Sequence, residues 1–178
     1  MKKSSWLILV FSLFVFTSTA SGGERPKDFR GLVWGTHISK VKDLVFQAES
    51  IPTNAPPEVK EIYKEREKRG DKKYIRPSDD LGIAGGEVNT IQYIFVKDQL
   101  AEVVIRFDTN KQYLAVKSLF NQLYGPPDKE EKDSAGINHY WFANADDEAN
   151  VNLFYSDVFT TGSAVMKWKG ILKKEPGL

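Results

Sequence analysis

The chain has 178 residues, 41% of them hydrophobic and 12% aromatic, with a formal charge of +1 and no cysteine. That length and apolar content fit one domain with a real core and exclude global disorder. The near-neutral balance gives no electrostatic case for a nucleic-acid partner, and the missing cysteine excludes disulfides, thiolate metal sites, a cysteine nucleophile and cysteine lipidation.

Residues 1–20 have the pattern of a signal peptide. Lys2 and Lys3 precede an apolar stretch from Trp6 to Phe16, broken only by Ser12, and Ser18-Thr19-Ala20 supplies small residues for cleavage. The stretch is shorter than the ~20 residues a membrane span needs. The expectation is therefore an exported protein, periplasmic or secreted, whose mature chain has no membrane span. Loss of Lys2 and Lys3 leaves 23 basic residues against 24 acidic ones, a net charge of −1.

Residues 21–178 read as a single α+β domain. Residues 29–35 suggest a first strand turning at Gly35, and Thr36 stands where a helix cap belongs. Ile38, Val41, Leu44, Val45 and Ala48 then recur at helical spacing, which predicts an amphipathic helix ended before Pro52. Residues 52–70 are a charged linker or short helix, with Pro57 at its start and Gly70 beyond its end. Residues 72–76 form a candidate strand, and turn formers crowd 77–86.

The centre of the chain is residues 90–108, two runs of β-branched and aromatic residues around Lys97-Asp98-Gln99, which predict a β-hairpin. Ile91, Tyr93 and Phe95 form one apolar row, and Ala101, Val103, Ile105 and Phe107 another. The rows meet on one face only across an odd-length connection, such as a three-residue loop. The opposite face carries Ile94, Val96, Leu100 and Val104, interrupted by Gln92, Glu102 and Arg106.

Asn110 is a plausible cap for a helix with an apolar stripe of Tyr113, Leu114, Val116, Leu119, Phe120 and Leu123, stopped by Gly125-Pro126-Pro127. Residues 128–136 read as a polar loop. Residues 138–143 and 148–155 suggest a second hairpin, 163–172 a last strand, and 173–178 a frayed tail. The order predicts a mostly antiparallel sheet with two amphipathic helices packed on one face.

Catalytic, cofactor and metal signals are weak. His37 and His139 are each alone in sequence, Asp79-Asp80 and Asp146-Asp147-Glu148 suit turns better than calcium loops, and Gly82-Ile83-Ala84-Gly85-Gly86 lacks the lysine and hydroxyl of a phosphate loop. No catalytic, cofactor-binding or metal residue is therefore assigned. The candidate interaction face is Ile94, Val96, Leu100 and Val104 with Trp141 and Trp168.

Phe29-Arg30-Gly31-Leu32-x-Trp34-Gly35-Thr36, Tyr74-x-Arg76, Ile91-x-Tyr93-x-Phe95, Val103-x-Ile105-x-Phe107 and Leu119-x-x-x-Leu123-Tyr124-Gly125 resemble a family of uncharacterised exported bacterial proteins. The resemblance implies export and this fold and carries no site. Helix-then-hairpin repetition is also similar to small periplasmic domains of the outer-membrane assembly lipoprotein type, whose lipidated cysteine is missing here. The reading is a non-enzymatic binding or interaction domain acting through an uncovered sheet face or edge. Its partner is an unknown protein, a small ligand or a second copy. The alternatives are a hydrolase-like enzyme with a spatially assembled site and a carrier of a small apolar ligand.

Overall fold

The central hairpin forms as two strands, β7 (Thr90–Val96) and β8 (Gln99–Phe107), inside an antiparallel sheet. The computed structural model describes residues 23–49, 51, 53–83, 85–144 and 147–170. The expected leader 1–20 and tail 173–178 lie outside them. In chain order the other strands are β1 (Asp28–Phe29), β2 (Leu32–Val33), β3 (Val45–Phe46), β4 (Asp71–Ile75), β5 (Gly82–Ile83), β6 (Gly86–Glu87), β9 (Lys129–Lys132), β10 (Ile137–Trp141), β11 (Ala149–Ser156) and β12 (Thr161–Trp168). Among the described residues, eight strands make the main sheet in the order β3-β4-β7-β8-β12-β11-β10-β9. Helices α1 (Pro57–Arg69) and α2 (Asn110–Tyr124) complete an α+β fold.

The expected register holds from Thr90–Arg106 to Ile94–Glu102 and fails next to the turn, where Phe95 pairs with Leu100 rather than Ala101. Tyr93 pairs with Val103 and Ile91 with Ile105, but the turn is the two residues Lys97-Asp98, both at positive φ (50° and 62°). Such a turn matches the twist of the flanking strands. On its own it would set the apolar rows on opposite faces. A β-bulge between the Ile94 and Phe95 pairings adds one residue to β8 and restores the match. Leu100 thereby moves to the core face opposite Phe95, while Ala101 packs with Val96 and Trp168. The backbone of Leu100 is taken up by a neighbouring segment, with Gly35 N–H donating to Leu100 O (2.9 Å) and Leu100 N–H to Thr36 O (3.0 Å).

That segment explains why residues 36–48 are not the expected helix. Ile38–Lys40 makes only one 3-10 turn, capped by the ring of His37, which accepts from Ser39 N–H. Ile38 N–H donates to Asp98 O across the hairpin turn (2.8 Å), and Asp43 lies at φ 59°. Ile38, Val41 and Leu44 still pack on the core, but from an extended chain that ends in β3. Helical spacing of apolar residues was thus satisfied without a helix, because the backbone polar groups found sheet partners first.

Residues 57–69 do form a helix, with Pro57 in its first turn and Gly70 left-handed at its end (φ 74°). It buries none of its residues and sits beside Asp71, Lys73 and Ile94, away from the main core. The opposite face of the sheet is covered by α2. Thr109, rather than Asn110, caps α2 through a capping box with Gln112. Tyr113, Val116 and Phe120 of α2 enter the core with Ile91, Tyr93, Phe95, Leu100, Val103, Ile105, Phe107, Trp141, Val151, Leu153, Tyr155, Ala164 and Met166. Residues 129–132, read as loop, are an edge strand. Lys-Glu-Glu-Lys has no apolar pattern, and it pairs with β10 through its backbone and polar side-chain contacts such as Tyr140 donating to Glu131 Oε2 at 3.0 Å.

Candidate functional site

The two outer edges of the sheet are built differently. At one, all four residues of β9 are charged and exposed, an arrangement that discourages a further strand. At the other, β3 is two residues long, and its side chains Val45 and Phe46 are 46% and 57% exposed. Gln47 N–H donates to Lys73 O at 2.8 Å, so residues 45 and 47 face β4. By the alternation of antiparallel pairing, Phe46 turns its own N–H and C=O outward. Among the described residues, the outward carbonyl receives only a long bond from its neighbour, Gln47 Nε2 at 3.3 Å.

Beside this edge lies a cleft of about 350 Å³. Its walls come from the chain leaving β3 (Glu49, Ile51), from α1 (Tyr63, Arg66) and from β4 (Lys73), with Ile94 beneath. Glu49 is held by Lys73 at 2.5 Å and Arg66 at 3.7 Å, which fixes the loop after β3 to both α1 and β4. Ile51 remains 43% exposed at the mouth. The cleft offers apolar contact at Ile51, Tyr63 and Ile94 between the charged groups of Glu49, Arg66, Glu67, Asp71 and Lys73, and main-chain hydrogen bonding at its β3 edge.

The six side chains of the expected interaction face do not share one open surface. Leu100 and Trp141 are in the main core, and Ile94, Val96 and Val104 are no more than 5% exposed. Trp168 is half-buried against the small Val96–Ala101 cluster. Of these, only Ile94 borders the edge cleft. Val45, Phe46 and Ile51 escape sequence reasoning because the apolar spacing ahead of Pro52 reads as an amphipathic helix and hides an edge strand.

Polar groups do converge, but in closed places. His139 is fully buried, with Nε2 2.6 Å from the Tyr113 hydroxyl and Nδ1 2.8 Å from Glu130 Oε2, the latter off the direction of the ring N–H. Burial and the charge of Lys117 push the His139 pKa down, while Glu130 pulls it up. A neutral ring accepts at Nε2 from the Tyr113 hydroxyl, while Nδ1 has no aligned hydrogen-bond partner among the described residues. Tyr93 donates to Asp79 Oδ2 at 2.7 Å, and Arg76 pairs with the same carboxylate at 3.3 Å. Burial first, and then Asp79, raise the Tyr93 hydroxyl far above its ordinary range. This second cluster pins the loop after β4 to the core.

Glu102 is buried on the other sheet face, opposite Lys167 in register. Burial pushes its carboxyl up, against the pull of Lys167, Arg66 and Arg69. His139, Tyr113 and Glu102 do not line the cleft beside β3. Among the described residues, no group of three or more His, Asp or Glu side chains is placed to hold a metal ion. No described helix is long and apolar enough to cross a membrane. Comparison with protein-family models, with curated proteins and with solved structures finds no match for this chain.

Proposed function

We propose that the protein is an exported, non-enzymatic binding domain that takes an extended apolar peptide segment along β3 by strand addition. The single observation that carries this is the asymmetry of the sheet edges. β9 is armoured with charge, whereas β3 leaves Val45 and Phe46 exposed beside the outward backbone groups of Phe46. In strand addition, main-chain bonds supply affinity and pockets for alternate side chains supply specificity. Here Ile51 and Tyr63 offer the apolar contact next to the edge. A homodimer is the version in which a second copy provides the segment. Export is supported by the leader-like residues 1–20 and by the resemblance to exported bacterial proteins.

The test is selection from a displayed library of extended peptides with alternating apolar positions, followed by hydrogen exchange of the bound protein. Selected peptides are expected to slow exchange at Phe46 and to lose affinity about tenfold or more with Phe46→Lys. Phe46 is over half exposed, so this variant keeps its fold. Peptides that bind the variant as well as the parent, or that leave Phe46 exchange unchanged, overturn the reading. Light scattering across concentration separates the dimer version from capture of a foreign peptide.

A further inference from the structure

The two helices are attached to the sheet by different forces. α2 sinks Tyr113, Val116 and Phe120 into the core. α1 has Val59, Tyr63, Arg66 and Arg69 half-buried and the rest exposed. Spacings of three and four put these four residues on one side, so the side turned to the protein is half arginine.

Three carboxylates face those arginines, Glu49 after β3, Asp71 on β4 and Glu102 on β8. Arg66 pairs with Glu49 at 3.7 Å, and Arg69 donates to Asp71 from Nε at 3.2 Å and from Nη2 at 2.5 Å. Both arginine charges also act on the Glu102 carboxyl. Lys73 holds Glu49 at 2.5 Å, and Lys167 stands opposite Glu102, so two of the three acids keep a sheet cation when α1 is away. The ends of α1 offer little resistance. Pro56 gives no side-chain cap, and Gly70 turns at φ 74° with open space where a Cβ would stand. A helix of 13 residues is marginal in water without tertiary support. Its detachment loses ion pairs and two half-buried side chains, much less than unfolding of the sheet loses.

We propose that α1 is a charge-held lid on the cleft beside β3, opening as a unit between Pro56 and Gly70 while the sheet stays folded, with ionic strength setting its closed fraction. The lid carries Tyr63 and Arg66, which wall that cleft. Its use as a clamp on a bound segment rests on the peptide reading above, whereas the opening itself does not. Capture through apolar contacts is then weakened by salt, because salt opens the wall.

Hydrogen exchange of the mature chain tests the lid without any peptide, each α1 amide being compared with a free 57–69 peptide in the same salt. α1 is expected to open at least about a hundredfold more often than α2. Raising sodium chloride from about 0.05 M to about 0.5 M is expected to increase α1 opening about three- to tenfold and to leave α2 unchanged. Glu49→Gln is expected to open the lid at low salt and to remove much of the salt response, with α2 protection verifying the fold. Exchange of α1 and α2 at one common rate, indifference of α1 to salt, or a full salt response in Glu49→Gln overturns the lid. With a peptide selected on β3, affinity is expected to fall with salt in step with lid opening. Affinity that ignores the lid overturns the clamp.

Discussion

The Tyr113 hydroxyl reaches Nε2 of His139 at 2.6 Å, from a helix to a strand, in a place fully closed to solvent on the histidine side. Tyr113 stacks on Tyr155 with ring centroids 4.6 Å apart, so the hydroxyl has little freedom to find another partner. Tyr113→Phe leaves Nε2 unsatisfied and is expected to cost ~1–2 kcal/mol in a denaturant titration. The same pair sets an acid limit. The folded ring resists protonation, because burial and Lys117 hold its pKa below the ordinary 6.5. As pH falls through that ordinary value, the unfolded chain gains a proton that the folded chain refuses, and stability drops. His139→Gln is expected to flatten this part of the stability–pH curve.

The hairpin's two irregularities have separable costs. Asp98 sits at φ 62°, where glycine carries no penalty, and its ion pair with Lys72 is exposed. Asp98→Gly is expected to be neutral or stabilising by up to ~1 kcal/mol, read as a rise in the denaturation midpoint. Deleting Ala101 removes the bulge residue while keeping Leu100 and Val103 on the core face, so the variant is expected to fold with a modest loss of stability. Deleting Val103 instead turns Glu102 toward the core and is expected to abolish folding. Near-ultraviolet circular dichroism distinguishes the two deletions.

Glu102 opposes Lys167 across β8 and β12 but makes no ion pair within bonding distance among the described residues. Burial raises its folded pKa, so the folded state holds a proton more tightly than the unfolded chain does. Stability from this site is therefore greatest below the ordinary carboxylate range and falls as pH rises through the raised folded value. Glu102→Gln is expected to gain ~1 kcal/mol at neutral pH and nothing in acid. Thermal melts at both pH values check the difference.

Gly162 closes β12 against β11 and β8. A Cβ there would meet Phe154 O at 2.3 Å and the Phe107 ring at 2.4 Å, both held by the sheet and core. Gly162→Ala is expected to cost ~2–3 kcal/mol, the scale of overpacking against atoms that cannot retreat. A midpoint unchanged from the parent would show that the strand can shift.

By itself the sequence determined the β7–β8 hairpin and its pairing beyond the bulge, the Tyr113, Val116 and Phe120 side of α2, the β10–β11 hairpin and the antiparallel α+β class. Each of these rests on local periodicity in which apolar side chains and backbone preference agree. Only tertiary structure decided the rest. Ile38, Val41 and Leu44 sit at helical spacing, yet their backbone lies beside the β8 bulge, whose groups at Leu100 needed partners. Lys129–Lys132 carries no strand signal because an edge strand is held by main-chain bonds, which side-chain patterns do not report. The edge cleft beside Val45–Phe46 and the Tyr113–His139 contact join residues far apart in the chain. Their geometry depends on which hydrogen bonds the sheet leaves over, and no stretch of sequence contains that information.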